Sequence, residues 1–292
     1  MDKLHIQLLG KFAANFEGQP VTGLDGLKVQ ELLSYLLINR NQPHHRERLA
    51  TLLWGECETV ASAKQYLRKA IWKLQAALDK TCFCTALDID HNWIEIRATP
   101  NYWLDIAALE EQFALVKNMR GQQLSARQAA ALEAIIGACH GDLLEGRYYD
   151  WCIYERERYK LMELLILDRL TEYFESIDDF NTACLYALRI LQQDPARERT
   201  HRQLIRLRYK AGDRTGALRQ YRHCEETLLS ELGVAPGPKT VALYRQICNT
   251  HPAPTNGAAP AAARMTSLAD DLTRLNSLLL ETQRQVAENI EQ

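Results

Sequence analysis

Glycine-cut apolar runs, three short amphipathic helices and an alternating hairpin follow one another over residues 1–98. Helical periodicity then continues for about 145 residues, and within it the chain matches itself at an offset of 34. These features predict a mainly α protein. An N-terminal winged helix-turn-helix (α+β) occupies 1–98 and an all-α, tetratricopeptide-like helical repeat domain 99–250. A linker spans 251–263, and a C-terminal helix 264–292.

Each element has its own signal. Residues 4–21 break at Gly10 and Gly18, which reads as two or three short strands joined by tight turns. Val29, Leu32, Leu33, Leu36 and Leu37 have helical spacing over 27–39, and Leu49, Leu52 and Leu53 do so over 46–54. A third helix covers 61–78, and residues 82–97 alternate around Asp90-His91-Asn92 as a hairpin. The later helices are expected at 105–118, 125–139, 151–176, 179–193, 197–211, 214–231 and 238–249. Asp179-Phe180-Asn181-Thr182-Ala183 aligns with Asp213-Arg214-Thr215-Gly216-Ala217, each alanine being the small residue where two helices of a repeat cross. Asp194-Pro195 falls between the helices of the first repeat.

Composition narrows the classes. With 47% hydrophobic and 25% charged residues the chain is an ordinary globular protein. Its net charge of −2 excludes a histone-like binder but not a local basic face. There is no apolar run of the ~18 residues a membrane span needs, and the start Met-Asp-Lys-Leu-His has no secretion-signal pattern. Eight cysteines are too dilute for a disulfide scaffold, and they read as cytoplasmic thiols. Cys82 and Cys84 lie near His91 without the second pair a zinc site needs, and His44-His45 reads as a turn, so no metal or cofactor is expected. No Gly-rich phosphate loop, nucleophile elbow or H-E-x-x-H motif is present, so an enzyme is not expected.

The third helix carries the sharpest pattern. With Leu67 at the centre of the buried face, Ala63, Ala70, Ile71, Leu74 and Leu78 fall on the same side. The opposite face holds Gln65, Lys69, Trp72 and Ala76, flanked by Ser62, Arg68 and Lys73, with Lys64 closer to the core edge. Such a face suits the major groove of double-stranded DNA. Gln65 can pair with adenine and Arg68 with guanine, while Lys69 and Lys73 hold phosphates. A solvated helix face with scattered lysines is the plainer reading.

Further residues carry a family likeness. They are Leu9-Gly10-Lys11-Phe12, Gly18-Gln19-Pro20-Val21, Arg46-Glu47-Arg48-Leu49 with Leu53-Trp54, and Leu67-Arg68-Lys69-Ala70 in the first domain. The second has Gly141-Asp142-Leu143-Leu144, Trp151 with Glu155-Arg156-Glu157-Arg158, Asp194-Pro195 with Glu198 and His201-Arg202, Ala217-Leu218 with Tyr221, and Glu231-Leu232-Gly233-Val234 with Pro236 and Pro238. Over residues 4–248 the chain resembles the bacterial transcriptional activators of the antibiotic regulatory protein type. The resemblance implies a regulator that binds promoter direct repeats as a side-by-side dimer and contacts RNA polymerase or sigma factor through the helical domain. Leu74-Gln75 departs from the family's Leu-Arg, removing a phosphate contact, and Asp88 and Asp90 make an acidic wing. Modest affinity per monomer follows. The rival reading is a scaffold whose repeats bind a partner protein or an anionic, nucleotide-type effector.

Residues 197–222 hold nine basic residues against two acidic ones. Arg199, Arg202 and Arg206 share a helical face with Lys210 a turn further. The run reads either as an anion- or partner-binding face or as cations paired with acidic helices elsewhere, with Glu155, Glu157, Glu163 and Glu172 in view.

Beyond the linker, Leu268, Leu272, Leu275, Leu279 and Val286 follow a 4-3 heptad spacing, either a self-association seam or an amphipathic helix docked on the body. If the seam joins two chains, deleting 264–292 lowers the mass measured by light scattering and weakens DNA binding by removing avidity. An unchanged mass would assign self-association elsewhere.

Overall fold

The structure, a computed structural model, describes residues 3–249 except 58, 80, 82, 84, 85, 100 and 140. The expected linker, the C-terminal seam (Leu268, Leu272, Leu275, Leu279, Val286) and the Cys82–Cys84 pair lie outside the described residues. Residues 1–243 form one compact unit.

The chain opens with β1 (Leu4–Gln7), β2 (Ala13–Phe16) and β3 (Gln19–Pro20), an antiparallel meander. Its second turn places Glu17 and Gly18 at φ 52° and 76°, the left-handed pair that a tight hairpin needs. Next come α1 (Leu27–Ile38), β4 (His44–His45), α2 (Arg46–Trp54) and α3 (Val60–Leu78). A hairpin of β5 (Leu87–Ile89) and β6 (Trp93–Ile96) pairs with β4 into a small sheet of order β4-β6-β5. Together these make the expected winged helix-turn-helix.

One strand has no counterpart in the expectation. β7 (Tyr102–Leu104) runs parallel to β1 and completes a sheet of order β3-β2-β1-β7. A parallel neighbour needs a long crossover, here the whole winged helix, so local periodicity gives no sign of it. The expected division at 98/99 therefore falls before the last strand of the N-terminal sheet.

At the end of β7 the chain turns into α4 (Asp105–Val116). Asp105 is fully buried. Its Oδ2 accepts the backbone N–H groups of Leu8 and Leu9, each at 2.7 Å, and its Oδ1 accepts that of Ile106 at 2.7 Å. Burial pushes this carboxyl above the usual carboxylate range, against the pull of those donors. A second backbone seam lies beside it. Gly10 N–H donates to Asp142 O (2.8 Å), Leu144 N–H to Leu8 O (2.7 Å) and Glu145 N–H to Gly10 O (3.0 Å).

The remaining helices are α5 (Ala126–Ala138), α6 (Ile153–Ser176), α7 (Phe180–Gln193), α8 (Glu198–Lys210), α9 (Arg214–Leu232) and α10 (Pro238–Asn249). Every helix expected within residues 27–249 is present to within about two residues at either end. The 34-residue repeat has a physical basis. Asp179 caps α7 by accepting Thr182 N–H, Asp213 caps α9 by accepting Gly216 N–H, and Ala183 and Ala217 are both fully buried. One hydrophobic core runs without interruption from Leu4 to Ile190 and joins the winged helix to the helical domain.

Asp105→Asn should destabilise the protein. An amide keeps one acceptor oxygen and turns its nitrogen toward a backbone donor, so at least one buried N–H is left without its partner, at about 1–3 kcal/mol. Asp105→Ala, which strands three donors, should lower Tm further. Calorimetry of both variants checks the order.

Candidate nucleic-acid interface

α3 begins at Thr59, whose hydroxyl accepts Ser62 N–H at 3.1 Å and also meets the Ser62 hydroxyl at 2.8 Å. From there the helix buries Ala63, Leu67, Ala70, Ile71, Leu74 and Leu78, the face read from the sequence, and adds Ala77. Gln65, Arg68, Lys69, Trp72 and Lys73 are exposed, Trp72 at 68%. None of Gln65, Arg68, Lys69 and Lys73 has a hydrogen bond or ion pair with any described residue. Their donors are open to an outside partner.

Two of the seven expected contact residues are engaged inside the protein. The Ser62 hydroxyl belongs to the N-cap. Lys64 is ion-paired with Glu47 of α2, and that hydrogen-bonded ammonium holds the Glu47 carboxyl below the usual range. Tyr66 is half exposed on the flank of the same face, and Gln75 is exposed there too; local spacing had singled out neither as part of it.

The acidic residues of the wing are partly offset by cations. Asp88 is ion-paired with Arg97 at 2.5 Å, and the Asp90 carboxylate accepts the His91 N–H. Arg46, at the start of α2, reaches the wing tip. Its backbone N–H donates to Asn92 O (2.9 Å), and its Nη1 to Asp90 O (3.2 Å) and His91 O (3.3 Å). These contacts span more than 40 residues of sequence, so the cation they deliver to the wing is invisible to local reading. Between the α2 N-terminus, α3 and the wing tip lies a groove of about 520 Å³ whose wall holds Arg46, Arg68, His91 and the paired Lys64 and Glu47, a net excess of cations. A basic groove bordered by a helix with free amide and guanidinium donors has the chemistry of a DNA-binding surface.

The arginine run of α8 is placed differently. Arg206 makes a two-point contact with Glu175 of α6 (3.0 and 2.9 Å), and Lys210 shares the same carboxylate at 3.0 Å. Arg199 reaches Glu172 at 3.4 Å, and Arg202 reaches Thr240 Oγ1 at 3.2 Å with Glu198 at 3.8 Å. The neighbouring Arg197 pairs with buried Asp168 at 2.9 Å. Of the four acidic residues considered from sequence, only Glu172 meets this run; Glu163 pairs with Arg189 and Glu155 with Arg158. Burial works against ionisation of Glu175, but Arg206 and Lys210 outweigh it and hold the carboxyl below the usual range.

The fold is a winged helix joined to a helical domain. Residues 104–248 match the bacterial transcriptional activator domain. That match supports the resemblance to the bacterial transcriptional activators of the antibiotic regulatory protein type. It is 26% identical over 268 residues to the transcriptional regulatory protein EmbR of Mycobacterium bovis and of Mycobacterium tuberculosis. That match covers 86% of this chain and 64% of EmbR, so the chain spans just under two thirds of the length of these relatives. The solved structure of Mycobacterium tuberculosis EmbR in complex with a low-affinity phosphopeptide has the same fold. Its TM-score is 0.72 at 21% identity, covering 94% of this chain and 72% of that one.

The ion pairs of α6 and α8 have a stability consequence. A carboxyl held low in the folded state contributes stability that is present above its unfolded pKa and lost as pH falls through the folded value. Glu175→Gln should therefore cost about 1–3 kcal/mol at pH 7, the worth of hydrogen bonds to a charged group. It should also flatten the acid limb of the stability curve below the ordinary glutamate pKa of about 4.3. Denaturant titrations at pH 7 and pH 3.5 measure both effects.

Proposed function

We propose that this protein is a sequence-specific regulator of transcription that binds double-stranded promoter DNA through the outward face of α3. The observation that carries this reading is the set of exposed side chains Gln65, Arg68, Lys69 and Lys73, which have no partner among the described residues. α3 itself contains no Asp or Glu that could pair with these cations at i,i+4 spacing. Gln65 and Arg68 read base edges, Lys69 and Lys73 hold phosphates, and Trp72 offers apolar contact to a thymine methyl. Arg46 adds a cation at the wing, which compensates in part for the absence of an arginine at Gln75.

Dimeric binding, activation and contact with RNA polymerase or sigma factor belong to the same proposal and draw on the family likeness. So does a cytoplasmic location, which accords with the lack of any helix long and apolar enough to cross a membrane among the described residues. The rival reading, repeats that hold an anionic effector, is weakened by the ion pairs. An anion on Arg206 or Lys210 would share the cation with Glu175, whose charge already offsets part of theirs.

Fluorescence anisotropy with the native upstream DNA tests the reading. Gln65→Ala and Arg68→Ala should each change base preference by about 1–3 kcal/mol. Lys69→Ala and Lys73→Ala should weaken all sequences alike, each lowering the salt slope by about 1. Full affinity in the quadruple alanine variant would refute it.

A further inference from the structure

The winged helix has a second concave surface that α3 does not share. A cleft of about 380 Å³ lies between the C-terminal part of α1, α2 and the β4–β6 pair. Its walls are aromatic. Tyr35 meets His44 edge-on with ring centres 5.3 Å apart, and His45 meets Trp93 edge-on at 5.2 Å. Leu49 is buried, and Leu52 and Trp93 are each 45% exposed. Arg48 also lines the cleft; it is exposed and has no hydrogen bond or ion pair with any described residue. Among the described residues, no carboxylate lines the cleft. The acidic residues of the wing, Asp88, Asp90 and Glu95, line a separate recess that shares only Pro43 and Trp93 with it. Arg97 engages both Asp88 and Glu95.

We propose that this cleft binds a small aromatic carboxylate, with the ring against the aromatic walls and the carboxylate on Arg48. Aromatic walls alone would also suit a cation. A free guanidinium with no lining acid repels a cation and supplies the planar, two-point contact that a carboxylate takes. The volume falls in the range of small-molecule sites, about 300–1,000 Å³. The exposed apolar rim consists of Leu52 and Trp93, far less than the ~800 Å² per partner of a stable protein interface. The occupant would rest on the β4–β6 pair, where His45 opposes Trp93 and precedes the wing anchor Arg46. The site thus sits directly behind the elements proposed to touch DNA.

Ligand-observed NMR on the full chain tests this, with salicylate as the probe, salicylamide as its neutral counterpart and benzyltrimethylammonium as a cationic ring. Salicylate should bind at least about tenfold more tightly than either of the others. Arg48→Gln, at an exposed position, should weaken salicylate about tenfold and leave salicylamide unchanged, with the circular dichroism spectrum retained. Leu52→Glu should weaken salicylate likewise by placing a negative charge at the rim. Absence of salicylate binding at millimolar concentration would overturn the proposal. So would equal binding in Arg48→Gln, or a preference for the cationic ring. These readouts involve no DNA, so failure of the cleft and failure of the DNA-binding reading are seen separately.

Discussion

The arrangement depends on one buried carboxylate. Asp105 takes the two backbone donors left open where β1 ends and a third at the start of α4. An ion is costly to bury, and three charge-assisted hydrogen bonds make this one tolerable. The result is a fixed corner. β1 leads out of the sheet toward the 142–145 segment, β7 lies parallel to β1, and the first helix of the activator domain departs from the same point. The winged helix therefore shares its orientation with the helical body rather than hanging from a linker.

Much of this was legible in the amino-acid pattern. Helices with a clear apolar face, α3 above all, are set by burial, and burial shows as periodicity. The repeat at an offset of 34 was legible because capping requires a short acceptor side chain and close crossing requires a small one, so Asp179 and Ala183 recur as Asp213 and Ala217. What escaped was long-range pairing. β7 needs a partner almost a hundred residues away, and Arg46 needs the wing. Arg206 and Lys210 of α8 find Glu175, which no local pattern marks out. No local window contains either half of such a contact together with the other.

Electrostatics separates the two cation-rich helices, which look alike in sequence. On α8, Arg206 and Lys210 converge on one largely buried carboxylate, which fixes α8 against α6. On α3, Arg68, Lys69 and Lys73 have no carboxylate among the described residues, and only Lys64 at the core edge is paired. A guanidinium bonded to two carboxylate oxygens has its charge offset and two of its five donors taken, whereas an unpaired one retains all of them. Density of positive charge is therefore a poor guide to function here, and the availability of its donors is the better one.

The same logic limits how a signal can travel within the described body. Tilting the winged helix against the helical domain would break the two bonds to Asp105 and the three backbone bonds between residues 8–10 and 142–145. Each buried donor left without a partner by such a motion costs about 1–3 kcal/mol. The same motion would also open a core that runs continuously from Leu4 to Ile190. Tilting at this corner is thus disfavoured. The elements that can respond at lower cost are those held by few contacts. The tip of the wing at Asp90–Asn92 qualifies, being exposed and tied by the Arg46 bonds, whereas the base of β6 is anchored in the core by Ile94 and Ile96.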